Sequence, residues 1–292
     1  MPHLDSLPAR AHIDRMIAPA ISMPAMLAAL LARPVAAVMG ILNVTPDSFS
    51  DGGNFNAPER ALAHARAMIA AGADIIDIGA ESTRPYGSQP VSADEEWQRL
   101  APVLPALVAL GLPLSIDSMK ASVTARALQA GVAIANDVWG LQRDPDMARV
   151  VAEHDAPVVV MHNRDSVDAS LDIMADIVGF FARTLEIAAK AGIPEHRIIL
   201  DPGIGFGKTP EQSMIALARG DELARFGLPV LVGASRKKFI STIVPSEPKQ
   251  RLGGSLAAHL LAVRRGAKII RAHDVAETVQ ALRVAAAIED KR

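Results

Sequence analysis

The sequence predicts an α/β fold: a (β/α)8 TIM barrel, a single domain with a short N-terminal extension. Three observations lead there. Eight apolar runs of strand length alternate with eight helical patterns. The runs are nearly continuous in Val, Ile, Leu and Ala, as strands covered on both faces of a parallel sheet are. Gly72, Gly111, Gly131, Gly192 and Gly266 each follow a helical pattern where a C′ glycine belongs. Eight such βα units in about 260 residues is the size of a barrel. The alternative is an open doubly wound sheet, which wants a GxGxxG turn after its first strand, and none is present.

The elements follow in order. Residues 1–33 read as an extension packed on the domain, with a short helix near 24–32, and residues 34–292 form the barrel. Met16 to Ala32 is apolar apart from Ser22, but Pro19 and Pro24 interrupt it, and it is short for a bilayer span of about 20 residues. Residues 1–15 hold Asp5 and Asp14 beside Arg10 and Arg15, so no secretory n-region is evident. Strands are expected at 35–43, 74–79, 113–117, 132–137, 157–162, 197–201, 229–233 and 267–271. Helices are expected at 58–71, 94–110, 119–130, 145–154, 170–191, 210–221, 251–265 and 275–289. Asp94 opens the second of these, with Glu95 and Glu96 in its first turn, where the helix dipole favours them.

Composition narrows the function classes. The chain has 292 residues, half of them apolar, and a net charge of −2. That balance gives no electrostatic reason to expect nucleic acid or an anionic membrane as partner. It has no cysteine, which removes disulfides, zinc thiolates and thiol nucleophiles. A cytoplasmic protein is the default reading.

In a barrel, the C-terminal ends of all strands meet at one mouth. Here nearly every strand ends polar although its body is apolar. The ends are Asn43; Asp77 followed by Glu81-Ser82-Thr83-Arg84-Pro85; Asp117; Asn136-Asp137; His162; Asp201; Ser235-Arg236-Lys237; and Arg271-Ala272-His273. Gathering that many polar groups is costly unless a ligand or a partner satisfies them. Asp117, Asn136 and Asp201 are acceptors suited to the adjacent N–H donors of an amino-pyrimidinone ring. Lys237, Arg271 and His273 are potential cations, and strands seven and eight are the usual phosphate location in barrels. The segment 39–53, MGILNVTPDSFSDGG, delivers Asn43 into a polar loop holding one aromatic, Phe49. Asn43 and that loop's oxygens are candidate ligands for Mg²⁺, which prefers oxygen and phosphate.

Plainer readings stand beside these. Asp117 at a strand end would also serve as a helix cap. Asp77 reads as structural, because Gly79 and the loop lie beyond it. His162 fits a satisfied core histidine as well as a ligand. No HxH or HExxH spacing supports zinc, and no GxSxG elbow supports an acyl-enzyme. Gly203-Ile204-Gly205-Phe206-Gly207-Lys208 lacks the GxxxxGK[ST] spacing; it reads as a tight loop bringing Phe206 and a backbone wall to a ligand.

Over residues 35–285 the chain resembles the dihydropteroate synthase family. The resemblance rests on 39–53, on GADIIDIGAESTRP at 72–85, SIDS at 115–118, ND at 136–137 and VMH at 160–162. It continues in DPGIGFGK at 201–208, GASRK at 233–237, GGSLA at 253–257 and IIRAHDV at 269–275. It implies a transferase of folate biosynthesis that joins 4-aminobenzoate to 6-hydroxymethyl-7,8-dihydropterin diphosphate, releasing pyrophosphate. It further implies that Asp117, Asn136, Asp201 and Lys237 hold the pterin. Asn43 with Mg²⁺, Thr83, Arg84, Arg271 and His273 would take the diphosphate. Phe49, Thr83, Pro85, Phe206 and Ser235 would shape the aminobenzoate pocket, where sulfonamides compete. Asp117, Lys237, Arg271 and His273 would be the catalytic set, and a homodimer is the family expectation. Ile204 and Ala272 depart from the Phe and Val often found there, as size changes in the pocket wall. The competing readings are a pterin-binding methyltransferase domain, which shares the barrel and the pterin acceptors, and a non-catalytic pterin-binding paralogue.

Overall fold

The computed structural model describes residues 23–45, 57–81 and 91–291. Eight parallel strands close into a barrel in sequence order. They are β1 (Ala37–Asn43), β2 (Ile75–Gly79), β3 (Leu114–Asp117), β4 (Ile134–Asp137), β5 (Val158–Met161), β6 (Ile198–Asp201), β7 (Val230–Val232) and β8 (Ala267–Ala272). β8 closes on β1 with Ala37 opposite Ile269 and Gly40 opposite Ala272. The outer ring is α2 (Ala57–Ala70), α3 (Ala93–Leu100), α4 (Leu104–Val108), α5 (Ala121–Gln129), α6 (Met147–Glu153), α7 (Ile173–Ala191), α8 (Pro210–Ala218), α9 (Lys238–Ile243), α10 (Leu252–Arg264) and α11 (Val275–Glu289), preceded by α1 (Met23–Leu31). Among the described residues no helix is long and apolar enough to cross a membrane.

Each strand serves two cores, because successive side chains point to opposite faces. Outward residues such as Val38, Ile76, Ile116, Val160, Leu200 and Ile270 pack under the helices. Inward residues Ala37, Met39, Ile75, Ile134, Val159, Ile199, Leu231 and Ile269 form a separate cluster inside the barrel. Leu27 of α1 joins that inner cluster, with Leu30 and Leu31 packed against it. Helix α1 thus seals the floor of the barrel.

Four expectations are corrected. The helix expected at 94–110 is two helices, because Pro102 and Pro105 cannot donate to a continuous ladder. Its start lies at Ala93, capped by Ser92, whose Oγ accepts the Glu95 N–H at 3.1 Å. The helix expected to 221 ends at Ala218 and continues as a 3₁₀ turn over Gly220–Phe226. Helix α9 was not expected at all; its six residues are too few to show a period. The glycine stops hold: Gly192, for one, takes φ 82° after α7.

Candidate active site

Two residues beyond the inner layer, which is apolar but for Ser115, the same inward rows turn to charged and amide side chains. Ile75 is followed by Asp77, Ser115 by Asp117, Ile134 by Asn136, Ile199 by Asp201 and Ile269 by Arg271. All five lie within one strand step of the mouth, so the period-two geometry alone aims them at each other. Asp77 is fully buried, and Asp117, Asn136 and Asp201 are buried as well.

Arg271 organises this layer. Its Nε donates to Asp77 Oδ2 at 2.6 Å and its Nη2 to Asp117 Oδ2 at 2.7 Å. Asn136 Nδ2 donates to the same Asp77 oxygen at 3.1 Å. Burial alone would depress the guanidinium, but Asp77 and Asp117 outweigh it and hold Arg271 above its ordinary value. Asp77 is therefore the anchor of the site rather than part of its surface, which agrees with the structural reading of it. Asp117 is not a helix cap: α5 begins behind Lys120 without a side-chain cap, and the Ala121 N–H goes to Asp144 at 2.8 Å.

Burial raises both acceptor carboxyls, Asp117 and Asp201. Burial pushes Asp117 up to about 7 against the pull of Arg271, with Asp77 and Glu96 adding to the rise. Its Oδ1 is buried without a partner among the described residues, as is Asp77 Oδ1. Asp201 is also raised by burial, although its Oδ1 accepts the Gly203 N–H at 2.7 Å. Burial and Arg271 bring Lys237 down to about 8, with Asp201 and Asp117 opposing. A lysine poised this near neutrality beside two buried carboxyls marks a ligand site more than a packing one.

Loops after β6 and β7 complete one wall. Lys237 Nζ lies 4.0 Å from the centroid of the Phe206 ring. The Lys237 backbone follows Arg236, a non-glycine residue at φ 59°. That conformation is braced on three sides. The Arg236 guanidinium pairs with Asp274, its N–H donates to Ser255 Oγ at 2.9 Å, and its carbonyl accepts from Arg251 at 2.9 Å. Ser235 sits beneath His273: its Oγ accepts the His273 N–H at 3.2 Å and lies 3.0 Å from Nδ1. Burial, Arg236 and Arg271 push His273 down to about 3. The cation expected there is disfavoured in the free protein, because burial and those charges outweigh Asp274.

Asn43 ends β1, half-buried, opposite Gly79. Phe49, Thr83, Arg84 and Pro85, and with them most of the loops at 44–56 and 81–92, lie outside the described residues. The two size departures are corrected: Ile204 is 1% exposed and Ala272 fully buried, both in the core under the helices. They fill the outer core rather than the pocket wall.

One buried group was not assigned a task from sequence. Lys208 Nζ turns inward to the carbonyls of Gly203 (2.9 Å) and Phe206 (3.0 Å) and to His162 Nδ1 (2.7 Å). His162 Nε2 in turn meets Asp176 Oδ2 at 3.0 Å. Burial brings Lys208 down to about 7, opposed by Asp201 and Asp176. The only sequence signal was that a lysine ends a glycine-rich loop without phosphate-loop spacing.

The comparisons fit this geometry. Residues 39–273 match the family of pterin binding enzymes. The chain is 45% identical over 255 residues to a dihydropteroate synthase of Bacillus subtilis, covering 87% of this chain and 89% of that one. It superposes on a Xanthomonas albilineans dihydropteroate synthase solved with 4-aminobenzoic acid at TM-score 0.84 and 45% identity, covering 89% and 94%. It matches a Yersinia pestis dihydropteroate synthase in a sulfonamide complex at TM-score 0.81 and 43% identity, covering 88% and 95%. With the acceptor layer and the loop wall in place, the chain belongs to the dihydropteroate synthase family of pterin-binding enzymes.

Proposed function

We propose that this mouth joins 4-aminobenzoate to the methylene carbon of 6-hydroxymethyl-7,8-dihydropterin diphosphate, giving 7,8-dihydropteroate and pyrophosphate for folate biosynthesis. The observation that carries it is the buried acceptor layer of Asp117, Asn136 and Asp201 beside Lys237. A ring with adjacent N–H donors satisfies those acceptors and draws the Asp117 proton off. As diphosphate leaves, positive charge grows on the pterin. Ionised Asp117 and Asp201 then bind the transition state more tightly than the ground state.

The leaving group needs its charge offset. Arg271 spends Nε and Nη2 on Asp77 and Asp117, which leaves Nη1 for a phosphate oxygen. The neutral His273 ring becomes a cation as an anion arrives. Asn43, Thr83 and Arg84 complete that subsite in this reading. Phe49, Thr83, Pro85, Phe206 and Ser235 line the arylamine side. The arylamine is a free nucleophile near pH 7, so no strong base is required.

Mg²⁺ fits the donor set in one sense. Among the described residues no three His, Cys, Asp or Glu side chains gather as a metal cage. The Asn43 carboxamide oxygen stands at the strand end, as suits an ion that takes most of its ligands from phosphate and water. When bound, the ion supplies charge neutralisation to the departing diphosphate. The same reading takes 1–33 as an extension of the 34–292 barrel and the enzyme as a homodimer acting in the cytoplasm on small molecules.

The test is a pyrophosphate-release assay on the purified protein with Mg²⁺. Release is expected only when both substrates are present. Methyl transfer from a methylated folate without pyrophosphate release would overturn the reading in favour of a methyltransferase domain.

A further inference from the structure

The loop after β6 is held by three N–H hydrogen bonds, from Gly203 to Asp201 Oδ1 (2.7 Å), Gly205 to Ser213 Oγ (3.2 Å) and Phe206 to the Gly203 carbonyl (3.0 Å), and by one buried side chain. Gly203, Gly205 and Gly207 all take left-handed φ. A segment so rich in glycine loses much backbone entropy on ordering. Yet it carries Phe206, the ring that faces Lys237.

Lys208 is that side chain, and it restrains the loop's carbonyls. Its Nζ is buried, and its three close acceptors, Gly203 O, Phe206 O and His162 Nδ1, match the three N–H donors of an ammonium. No donor remains to face the mouth, so Lys208 does not contact a ligand there. For His162 Nδ1 to accept, the ring proton must sit on Nε2, from which it donates to Asp176 Oδ2. Burial and Lys208 push His162 down to about 3, consistent with a neutral ring. Asp176 belongs to α7 and also receives Arg164 Nη1 at 2.9 Å. The loop is thereby tied, through one histidine, to a helix of the outer ring. The approach is close: a Cβ on Gly203 would fall on the His162 carbonyl, and one on Gly207 on Arg164.

We propose that Lys208, held by His162 and Asp176, is a positioning residue that fixes the Phe206 wall and so sets affinity for the arylamine substrate. This rests on the reading of Phe206 as part of the 4-aminobenzoate pocket. It makes the network a specificity device rather than a source of fold stability alone.

The test is steady-state kinetics of Lys208→Met, which keeps the apolar stem and removes the ammonium. The KM for 4-aminobenzoate should rise about tenfold or more, as displaced binding groups commonly cause. The KM for the dihydropterin diphosphate and kcat should change less than the 4-aminobenzoate KM, since Phe206 reaches the pterin side only through its contact with Lys237. Phe206→Leu and the double variant complete a cycle. If Lys208 acts through Phe206, the double variant is no worse than Phe206→Leu alone. Additive losses, equal rises in both KM values, or no rise would overturn the proposal. Should Lys208→Met not fold, Asp176→Asn, on a partly exposed residue, carries the same split at smaller size, and an unchanged 4-aminobenzoate KM there overturns it. Wild-type protein that releases no pyrophosphate with both substrates defeats the functional reading itself and this proposal with it. Active wild-type with an unsplit variant defeats this proposal only.

Discussion

The floor and the mouth of the barrel are built by the same strands, one inward step apart, and they obey opposite rules. On the floor, Met39, Ile75, Ile134, Val159, Ile199, Leu231 and Ile269 close a dry cluster under α1. At the mouth, Asp77, Asp117, Asn136, Asp201 and Arg271 share one buried layer, and two carboxylate oxygens in it have no partner among the described residues. The floor is apolar but for Ser115, whose buried hydroxyl has no partner among the described residues. The mouth is incomplete by itself, which is the condition a site needs if binding is to draw on interactions not already made in the free protein. Separating the two by only one strand step lets the rigid floor fix the positions of charges that would otherwise repel.

If that division is right, damage on the floor should cost stability and spare chemistry. Ile199→Ala removes a nearly inaccessible side chain from the inner cluster. It should destabilise the protein by about 2–5 kcal/mol, read as a fall in the urea midpoint. Both KM values and kcat should be unaltered at temperatures where the variant is folded. A change in substrate KM would mean that the floor is part of the site after all.

The converse variant is Asp117→Asn. It keeps the shape and the Arg271 contact within reach but cannot carry the negative charge. Turnover should drop by about two orders of magnitude or more, as losing a key electrostatic group does, with a smaller effect on the unfolding midpoint. Wild-type turnover would reduce Asp117 to a spacer between Arg271 and the strand end.

pH sharpens the same contrast. With its pKa raised by burial from 3.8 to about 7, Asp117 is protonated in the free protein over a window where the unfolded chain is not. Folding then takes up a proton, so this group's contribution to stability is full below about 4 and is lost as pH rises through about 7. Affinity for a pterin without diphosphate should run the other way and improve as pH rises through about 7, because only the ionised carboxylate accepts two donors. Calorimetric titration of wild type and Asp117→Asn checks this: the rising limb should vanish in the variant. A limb that persists belongs to Asp201, whose carboxyl is also raised.

Much of this division was legible in the chain. The strand bodies are apolar and their last inward residues are polar, so a list of strand ends recovers Asp117, Asn136, Asp201, Lys237, Arg271 and His273 without coordinates. What sequence order hides is pairing. Asp77 and Arg271 are 194 positions apart, and only closure of β8 on β1, the neighbour of β2, makes Asp77 the anchor of Arg271. The depression of His273 was hidden in part for the same reason: it depends on burial and on Arg236 arriving from the loop after β7, beside Arg271 of its own strand. Lys208 was legible as a residue but not as a restraint, since its acceptors are its own loop's carbonyls and a histidine from β5's end. The split of α3 from α4 was written in Pro102 and Pro105, whose weight against a good apolar period is a matter of degree.

The smallest expected effect tests how far the mouth's bracing extends. Gly253 and Gly254 are adjacent in α10, behind the Arg251 and Ser255 that brace Arg236. A Cβ on Gly253 meets nothing within 4 Å, and its φ is not left-handed. Gly253→Ala should therefore stabilise the protein by roughly 0.4–1 kcal/mol, chiefly by restricting the unfolded chain. A Cβ on Gly254 would fall on Ile240 of α9, so Gly254→Ala should destabilise instead. If bracing of the Lys237 loop depends on the closeness of α9 and α10, only Gly254→Ala will also alter kcat. Thermal melts and initial rates on the pair decide it: two silent kinetic profiles would confine the bracing to Arg236 and its direct partners.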